Sequence, residues 1–195
     1  MTIKTVRLWL WVAVAALGIT AATAALLLRP SAQGGFGGGH YSLLDQRGQS
    51  VDGTLLSGHP SMLFFGFTHC PEVCPTTLAE MASWYEALGA EAGDLRAYFV
   101  TIDPERDTPA IIADYVAFVS DRVTGLTGDP AEIAKMARAW GVHYEKVPLE
   151  GADYTMDHTA SVYLINARGE FEGTIAYRED GATALAKLRK LLAGA

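Results

Sequence analysis

SMLFFGFTHCPEVCPTTL, residues 61–78, places a short apolar segment directly before the only two cysteines of the chain. Residues 61–67 have the length and the apolar character of a buried strand. From position 76 to position 88, apolar residues recur at the spacing of one helix face. The stretch therefore predicts a strand-to-helix turn that carries both thiols.

The rest of the chain predicts a mixed order of strands and helices around this turn. The predicted elements are a hairpin at 40–53, strands at 61–67 and 95–102, helices at 76–88, 109–118 and 130–140, an antiparallel pair at 161–165 and 171–176, and a helix at 181–192. Thr108 and Asp129 precede prolines and are predicted N-caps, with Glu132 completing a capping box. Residues 141–157 are predicted to form a polar insertion. Because a cysteine motif follows the first long strand, this α/β pattern predicts a thioredoxin-like domain.

The N-terminal region is predicted to anchor this domain to a membrane. Residues 8–28 contain no charged side chain, and 21 residues suffice to cross a bilayer as a helix. Basic residues before this span predict that residues 1–7 stay in the cytoplasm. Residues 29–40 are rich in glycine and are predicted to be a flexible tether. A signal peptide cleaved after Ala24 is the alternative, and both readings export residues 41–195.

Charge separates along the chain and excludes one class of partner. The net charge is −7, and all 22 acidic residues lie after position 40, whereas basic residues lie on both sides of it. The domain therefore offers no basic stripe that could bind phosphates, and we expect no nucleic-acid partner.

Cys70 and Cys74 form a C-x-x-x-C motif that is compatible with three kinds of chemistry. Residues four apart on a helical turn place both sulfurs on one face, and a helix start favours the thiolate. The pair could be redox-active, or it could bind a soft metal such as Cu(I) or Zn. A structural disulfide is the third possibility, although so short a loop removes little entropy from the unfolded chain.

A metal site needs a further ligand, and histidine is the obvious source. The chain has five histidines: His40, His59, His69, His143 and His158. His158 is the favoured candidate, because in a thioredoxin-like sheet the loop before the strand at 161–165 lies against the cysteine loop. His69 adjoins Cys70 and is expected to tune the site. The residues alone do not decide which histidine completes a metal site.

Three blocks of the sequence together resemble the SCO/SenC family of membrane-tethered, thioredoxin-like copper chaperones. The blocks are FGFTHCPEVCPTTL (65–78), TIDPERDTP (101–109) and DHTASVYLI (157–165). The resemblance implies that Cys70, Cys74 and His158 bind copper, as Cu(I) or Cu(II). It also implies a role in assembling the binuclear copper centre of cytochrome c oxidase subunit II, with other copper chaperones as donors. The expected location is the inner membrane, single-pass, with the domain on the periplasmic side.

The resemblance leaves the reaction open and adds accessory residues. The protein could deliver copper, or it could act as a thiol–disulfide reductase on the cysteines of subunit II, with Cys70 and Cys74 as the redox-active pair. Asp103 and Asp107 match the family's D-x-x-x-D and are candidates for a partner or metal-pathway role, although turn chemistry alone would also explain them. Asp157 is expected to orient His158.

Overall fold

The computed structural model describes residues 36–151 and 153–194, together with five isolated positions, 7, 9, 11, 17 and 18. Within that part of the chain there are nine strands and four α-helices. The strands are β1 (Ser42–Asp45), β2 (Ser50–Asp52), β3 (Ser61–Gly66), β4 (Arg96–Thr101), β5 (Val123–Thr127), β6 (Tyr144–Pro148), β7 (Tyr154–His158), β8 (Val162–Ile165) and β9 (Phe171–Ile175). The helices are α1 (Val73–Leu88), α2 (Pro109–Val119), α3 (Pro130–Ala139) and α4 (Gly181–Ala193).

Seven strands form one mixed sheet in the order β2-β1-β5-β4-β3-β8-β9. The central strand β3 runs parallel to β4 and antiparallel to β8, and all six of its residues are buried. A parallel strand covered on both faces needs such a continuous apolar run. The order of β3, α1, β4, β8, β9 and α4 confirms the predicted thioredoxin-like domain, and the hairpin β1–β2 adds to the sheet beyond β5.

Strand β5 is an element that the sequence did not predict. Its residues, VTGLT, contain a glycine and two threonines, and they lack the apolar run that marked β3 and β4. The strand nevertheless lies between β1 and β4, parallel to β4. At Gly125 a Cβ would collide with Ile112 of α2, so the glycine permits a close approach of helix and sheet.

The two predicted N-caps are confirmed, with one difference in detail, whereas the helix predicted from residue 76 begins earlier, at Val73. Thr108 caps α2 by accepting from Ile111 N, and Asp129 caps α3 by accepting from Ala131 N at 2.8 Å. The predicted capping box is wrong, because the Glu132 carboxylate accepts instead from Ser42 N at 2.9 Å and from Lys135 Nζ. A backbone donor on β1 thus takes the acceptor that the box would have used.

The predicted polar insertion folds into a hairpin of its own. Strands β6 and β7 pair antiparallel, with Tyr144 opposite His158, and form a separate two-stranded sheet. His158 is therefore the last residue of a strand, whereas the sequence placed it in a loop. Met156 is the one buried residue among those of the two strands.

The predicted N-terminal segments lie mostly outside the described residues. This applies to the cytoplasmic segment 1–7 and to the anchor 8–28, apart from the five isolated positions. Among the residues described, no helix combines the length and the apolar character needed to cross a bilayer. The end of the predicted tether differs from expectation: the Phe36 ring packs 4.9 Å from Phe171 and 5.8 Å from Trp140. Residues 36–40 therefore belong to the domain.

Candidate metal centre

The two thiols and one imidazole converge at the carboxyl end of β3. One ligand atom each of Cys70, Cys74 and His158 lies within 4.8 Å of the others, and Cys74 Sγ is 3.7 Å from His158 Nε2. Three sulfur and nitrogen ligands at about 2.0–2.3 Å from one ion would lie roughly 3.5–4 Å apart. The donor set therefore fits a single soft metal ion with little rearrangement, as the soft thiolates also indicate.

The turn between β3 and α1 positions both cysteines. Cys70 N donates to Phe67 O at 3.2 Å, which closes the turn after the strand. Cys74 lies in the first turn of α1, and its N–H donates to Cys70 Sγ at 3.3 Å. Glu72, at the N-cap position, makes no side-chain bond to the helix. The Cys70 sulfur thus satisfies one of the free amides of the helix start, as a capping side chain would.

Gly66 makes room for the buried thiol. A Cβ at this position would lie 2.7 Å from Cys74 Sγ and 2.8 Å from the Phe99 ring. No real side chain tolerates two such contacts in a packed interior without displacement of its neighbours. The absent side chain at the end of β3 is therefore what allows Cys74 to sit against the sheet.

His158 is held by aromatic contacts and by a backbone carbonyl. Its ring lies edge-on to Phe67, at 5.8 Å between centroids, and 6.3 Å from Phe64. Nδ1 lies 3.0 Å from Thr159 O. Because a carbonyl oxygen only accepts, Nδ1 donates this hydrogen bond, which turns Nε2 toward the two sulfurs. Asp157 is exposed, and its predicted orienting role stays a prediction.

The site strongly separates the two thiol pKa values. The pKa of Cys70 falls to about 4, because the Cys74 side chain, then His158 and the N–H groups of Cys74 and Glu72 hydrogen-bond to its sulfur, although burial opposes this. The pKa of Cys74 is raised, because it donates its proton to Cys70, is buried, and faces the Cys70 charge. Cys70 is half-buried and Cys74 fully buried, so the accessible sulfur is the thiolate.

The two aspartates of the D-x-x-x-D block are buried beside the site. Asp107 accepts from Thr68 N at 3.0 Å, Thr68 Oγ1 at 2.5 Å and Thr101 Oγ1 at 2.6 Å. Asp103 accepts from Tyr154 Oη at 2.8 Å and from Arg106 Nε. Both carboxylates thus bind groups inside the domain. The partner or metal-pathway role that the sequence suggested for them stays a prediction.

The other histidines lie outside the converging group. His69 is exposed, with Nδ1 3.1 Å from Thr68 Oγ1 and 3.9 Å from Asp107 Oδ1. His40 and His143 are also exposed, and His59 Nδ1 lies 3.1 Å from Ser61 Oγ. The structure therefore brings His158, and not its alternatives, to the two thiols.

Sequence reasoning missed several residues around the site. They are Thr68, Thr101, Arg106, Tyr115 and Tyr154. Arg106 lies inside the DPERD block, so its position was visible, but its contact with a distant hairpin was not. Tyr115 lies on α2, 5.5 Å from Phe99 between ring centroids, and its hydroxyl is buried with no hydrogen-bond partner among the described residues.

Comparison with known proteins gives a consistent result. A family model described as SCO1/SenC matches residues 30–193. The mitochondrial protein SCO2 homolog of Bos taurus is 40% identical over 142 residues, which cover 71% of this chain and 53% of that protein. This chain therefore spans about half the length of that relative.

Two solved structures carry the similarity further. ScoI of Bradyrhizobium japonicum, solved with copper bound, is 42% identical, with a TM-score of 0.72, covering 78% of this chain and 98% of that one. ScoI of Arabidopsis thaliana, also solved with copper bound, is 34% identical, with a TM-score of 0.75, covering 80% and 98%. The similarity thus extends over nearly the whole of both solved chains.

Proposed function

This chain belongs to the SCO1/SenC family, and on that premise we propose that it is a copper chaperone whose site is formed by Cys70, Cys74 and His158. The observation that carries the proposal is the convergence of two thiols and one imidazole within 4.8 Å. Two relatives with 42% and 34% identity were solved with copper bound, which supports copper over zinc as the cargo.

The geometry suits a metal that is received and passed on. Three protein ligands leave the coordination of Cu(I) or Cu(II) open to an incoming donor atom. The Cys70 sulfur is the more exposed of the two, and its low pKa keeps it available as a thiolate at neutral pH. An acceptor thiolate would therefore reach copper from the Cys70 side and displace the protein ligands one at a time.

The acceptor and the location form the finer part of this proposal. We propose that the acceptor is subunit II of cytochrome c oxidase, that other copper chaperones supply the metal, and that residues 8–28 anchor the chain in the inner membrane with the domain in the periplasm. Support comes from the sequence resemblance and from the uncharged span at 8–28. A short tether would keep the site close to a membrane-embedded oxidase.

A second candidate function is thiol–disulfide reduction, which the unequal thiols favour. The Cys70 thiolate would attack a target disulfide and form a mixed disulfide, releasing one target thiol. The Cys74 sulfur would then attack Cys70 Sγ, release the second target thiol and leave a Cys70–Cys74 disulfide. Two electrons pass to the target, so an external dithiol must reduce the pair again.

Metal titration of the full-length reduced chain in detergent tests the copper proposal. We expect one copper per chain, loss of tight binding in Cys70→Ala and in Cys74→Ala, and weaker binding in His158→Ala. His40→Ala is the matched control, because His40 is exposed and lies outside the site. Equal binding by all four variants would overturn the site. Absence of copper binding, together with rapid reduction of a disulfide peptide, would favour the reductase.

A further inference from the structure

The loop between β4 and α2 lies between the two parts of the proposed copper site, the cysteine turn after β3 and the hairpin β6–β7. Residues 103–107 of this loop read DPERD, and their side chains make hydrogen bonds in two directions. One set reaches the cysteine loop, which we define as residues 67–72. The other set reaches the hairpin β6–β7, which carries His158 at its end.

The first set of hydrogen bonds is centred on Asp107. Its carboxylate accepts both the backbone N–H and the hydroxyl of Thr68, two residues before Cys70. It also accepts the hydroxyl of Thr101 from the end of β4. A buried carboxylate with three donors of this kind fixes the loop that contains the first thiol relative to the sheet. We call this set the loop arm.

The second set is centred on Arg106 and Tyr154. The Tyr154 hydroxyl donates to Asp103 at 2.8 Å, and Arg106 Nε donates to the same carboxylate. Arg106 Nη1 donates to Tyr154 O at 3.0 Å, and its guanidinium lies 3.8 Å from the centroid of the Tyr154 ring. We call this set the hairpin arm.

The hairpin arm acts on the strand that ends in His158. Tyr154, Met156 and His158 alternate along β7, so their side chains face the same side of the strand. Met156 is the one buried side chain of β6 and β7, and Tyr144 and Tyr154 are partly buried against the same core. The arm at Tyr154 adds polar contacts that join β7 to the loop after β4.

The hairpin arm is costly if stability is its only purpose. Arg106 is mostly buried, and its Nη2 has no hydrogen-bond partner among the described residues. Burying a charged group with an unpaired nitrogen costs free energy that an apolar contact would avoid. What the ionic arrangement adds is a defined geometry, since a bonded and stacked guanidinium allows one orientation of its partner.

We propose that residues 103–107 form a two-armed bracket: Asp107 positions the cysteine loop, and Asp103 with Arg106 positions His158 through Tyr154. The inference rests on the proposed copper site and assigns positioning roles, not ligation, to these residues. Both arms start from one short loop. A single segment, residues 103–107, therefore sets the position of the imidazole relative to the two thiols.

A double-mutant cycle on the full-length reduced chain tests the bracket. Tyr154→Phe removes the hydroxyl bond to Asp103 and keeps the ring under Arg106. We expect about tenfold weaker copper binding, the size of one lost bond to a charged group. In the His158→Ala background the same substitution should change affinity less than twofold, because the arm acts through His158. Tyr98→Phe is the matched control, since its hydroxyl bonds Leu55 O far from the hairpin.

Thr68→Val tests the other arm and should weaken copper binding in both backgrounds. In the Cu(II) form, electron paramagnetic resonance should show reduced nitrogen coupling in Tyr154→Phe but not in Thr68→Val. Arg106→Lys keeps the positive charge but loses the planar guanidinium with its several donors. It should weaken copper binding and reduce the nitrogen coupling as Tyr154→Phe does. Thermal unfolding of each variant checks that it is folded.

The outcomes separate the bracket from the copper site itself. If His158→Ala binds copper as the wild type does, the proposed site is wrong. If His158→Ala is weakened and Tyr154→Phe is not, the bracket is wrong. The bracket is also wrong if Tyr154→Phe costs the same in both backgrounds, since its effect would then bypass His158.

Discussion

Cys70 follows a strand whose six residues are all buried, and Cys74 lies in the first turn of the next helix, whereas His158 ends a two-stranded hairpin in which one residue is buried. Apolar burial therefore holds the cysteine half of the site, β3 with the start of α1, in place. The histidine half, the hairpin β6–β7, depends on the Asp103, Arg106 and Tyr154 contacts and on the ring contacts of His158. The proposed ligands thus come from parts of the fold with different sources of order.

This difference has a consequence for metal exchange. Segments with few buried apolar contacts open at lower free energy than core strands. The hairpin should therefore move away from the cysteine loop more readily than the cysteines move from the sheet. For the proposed chaperone, His158 is then the ligand that can leave first, while the two sulfurs keep the metal until an acceptor arrives.

The largest expected effect concerns the low pKa of Cys70 and which half of the site is its main cause. With a pKa of about 4, Cys70 is ionised throughout the range in which an ordinary thiol gains ionisation with rising pH. In the metal-free reduced protein, iodoacetamide should modify Cys70 at a rate nearly constant from pH 6 to 9, as measured by mass spectrometry. Cys74→Ala should raise the pKa most, because the Cys74 hydrogen bond is its largest cause.

His158→Ala should raise the same pKa less, because its hydrogen bond ranks below that of Cys74 among the causes. That ranking would place control of the thiolate mainly in the cysteine half. A larger shift in His158→Ala than in Cys74→Ala would contradict the comparison, as would a labelling rate that rises tenfold per pH unit in the wild type.

The next effect compares two glycines, one in each half. Gly66→Ala puts a Cβ 2.7 Å from Cys74 Sγ and should cost roughly 2–3 kcal/mol of the free energy of unfolding. Gly151→Ala lies in the turn between β6 and β7, where a Cβ has open space but φ is +82°. It should cost about 1 kcal/mol through the left-handed backbone alone. Urea unfolding measures both, and equal costs would show that the halves are packed alike.

Much of the fold could be predicted because its signals are local. Thr108 and Asp129 each precede a proline, and a helix start depends on those few residues. Strand β5 could not be predicted, because VTGLT becomes a strand through pairing with β1 and β4 and not through its own apolar pattern. Glu132 likewise found a partner, Ser42, that lies 90 positions away.

The site follows the same division between local and distant signals. Cys70 and Cys74 are close in sequence, so their convergence required only a helix start. His158 could be singled out because the fold type places its segment beside the cysteine loop. The Asp107–Thr68 and Asp103–Tyr154 contacts join residues 39 and 51 positions apart, and no local pattern marks them. These two contacts become visible only in the three-dimensional structure.

The smallest expected effect contrasts two tyrosines, Tyr115 beside the cysteine half and Tyr154 in the histidine half. The Tyr154 hydroxyl donates to Asp103, so Tyr154→Phe should lower the free energy of unfolding by about 1–2 kcal/mol. Burial, and then the nearby Cys74, raises the pKa of Tyr115, so its hydroxyl stays protonated without a partner among the described residues. Removing a buried hydroxyl without a partner relieves a desolvation cost, so Tyr115→Phe should be neutral or stabilising by up to about 1 kcal/mol. Urea unfolding of both variants measures the contrast. A loss above 1 kcal/mol in Tyr115→Phe would reveal a hydrogen bond on the cysteine side and would make the two halves more alike than their contacts indicate.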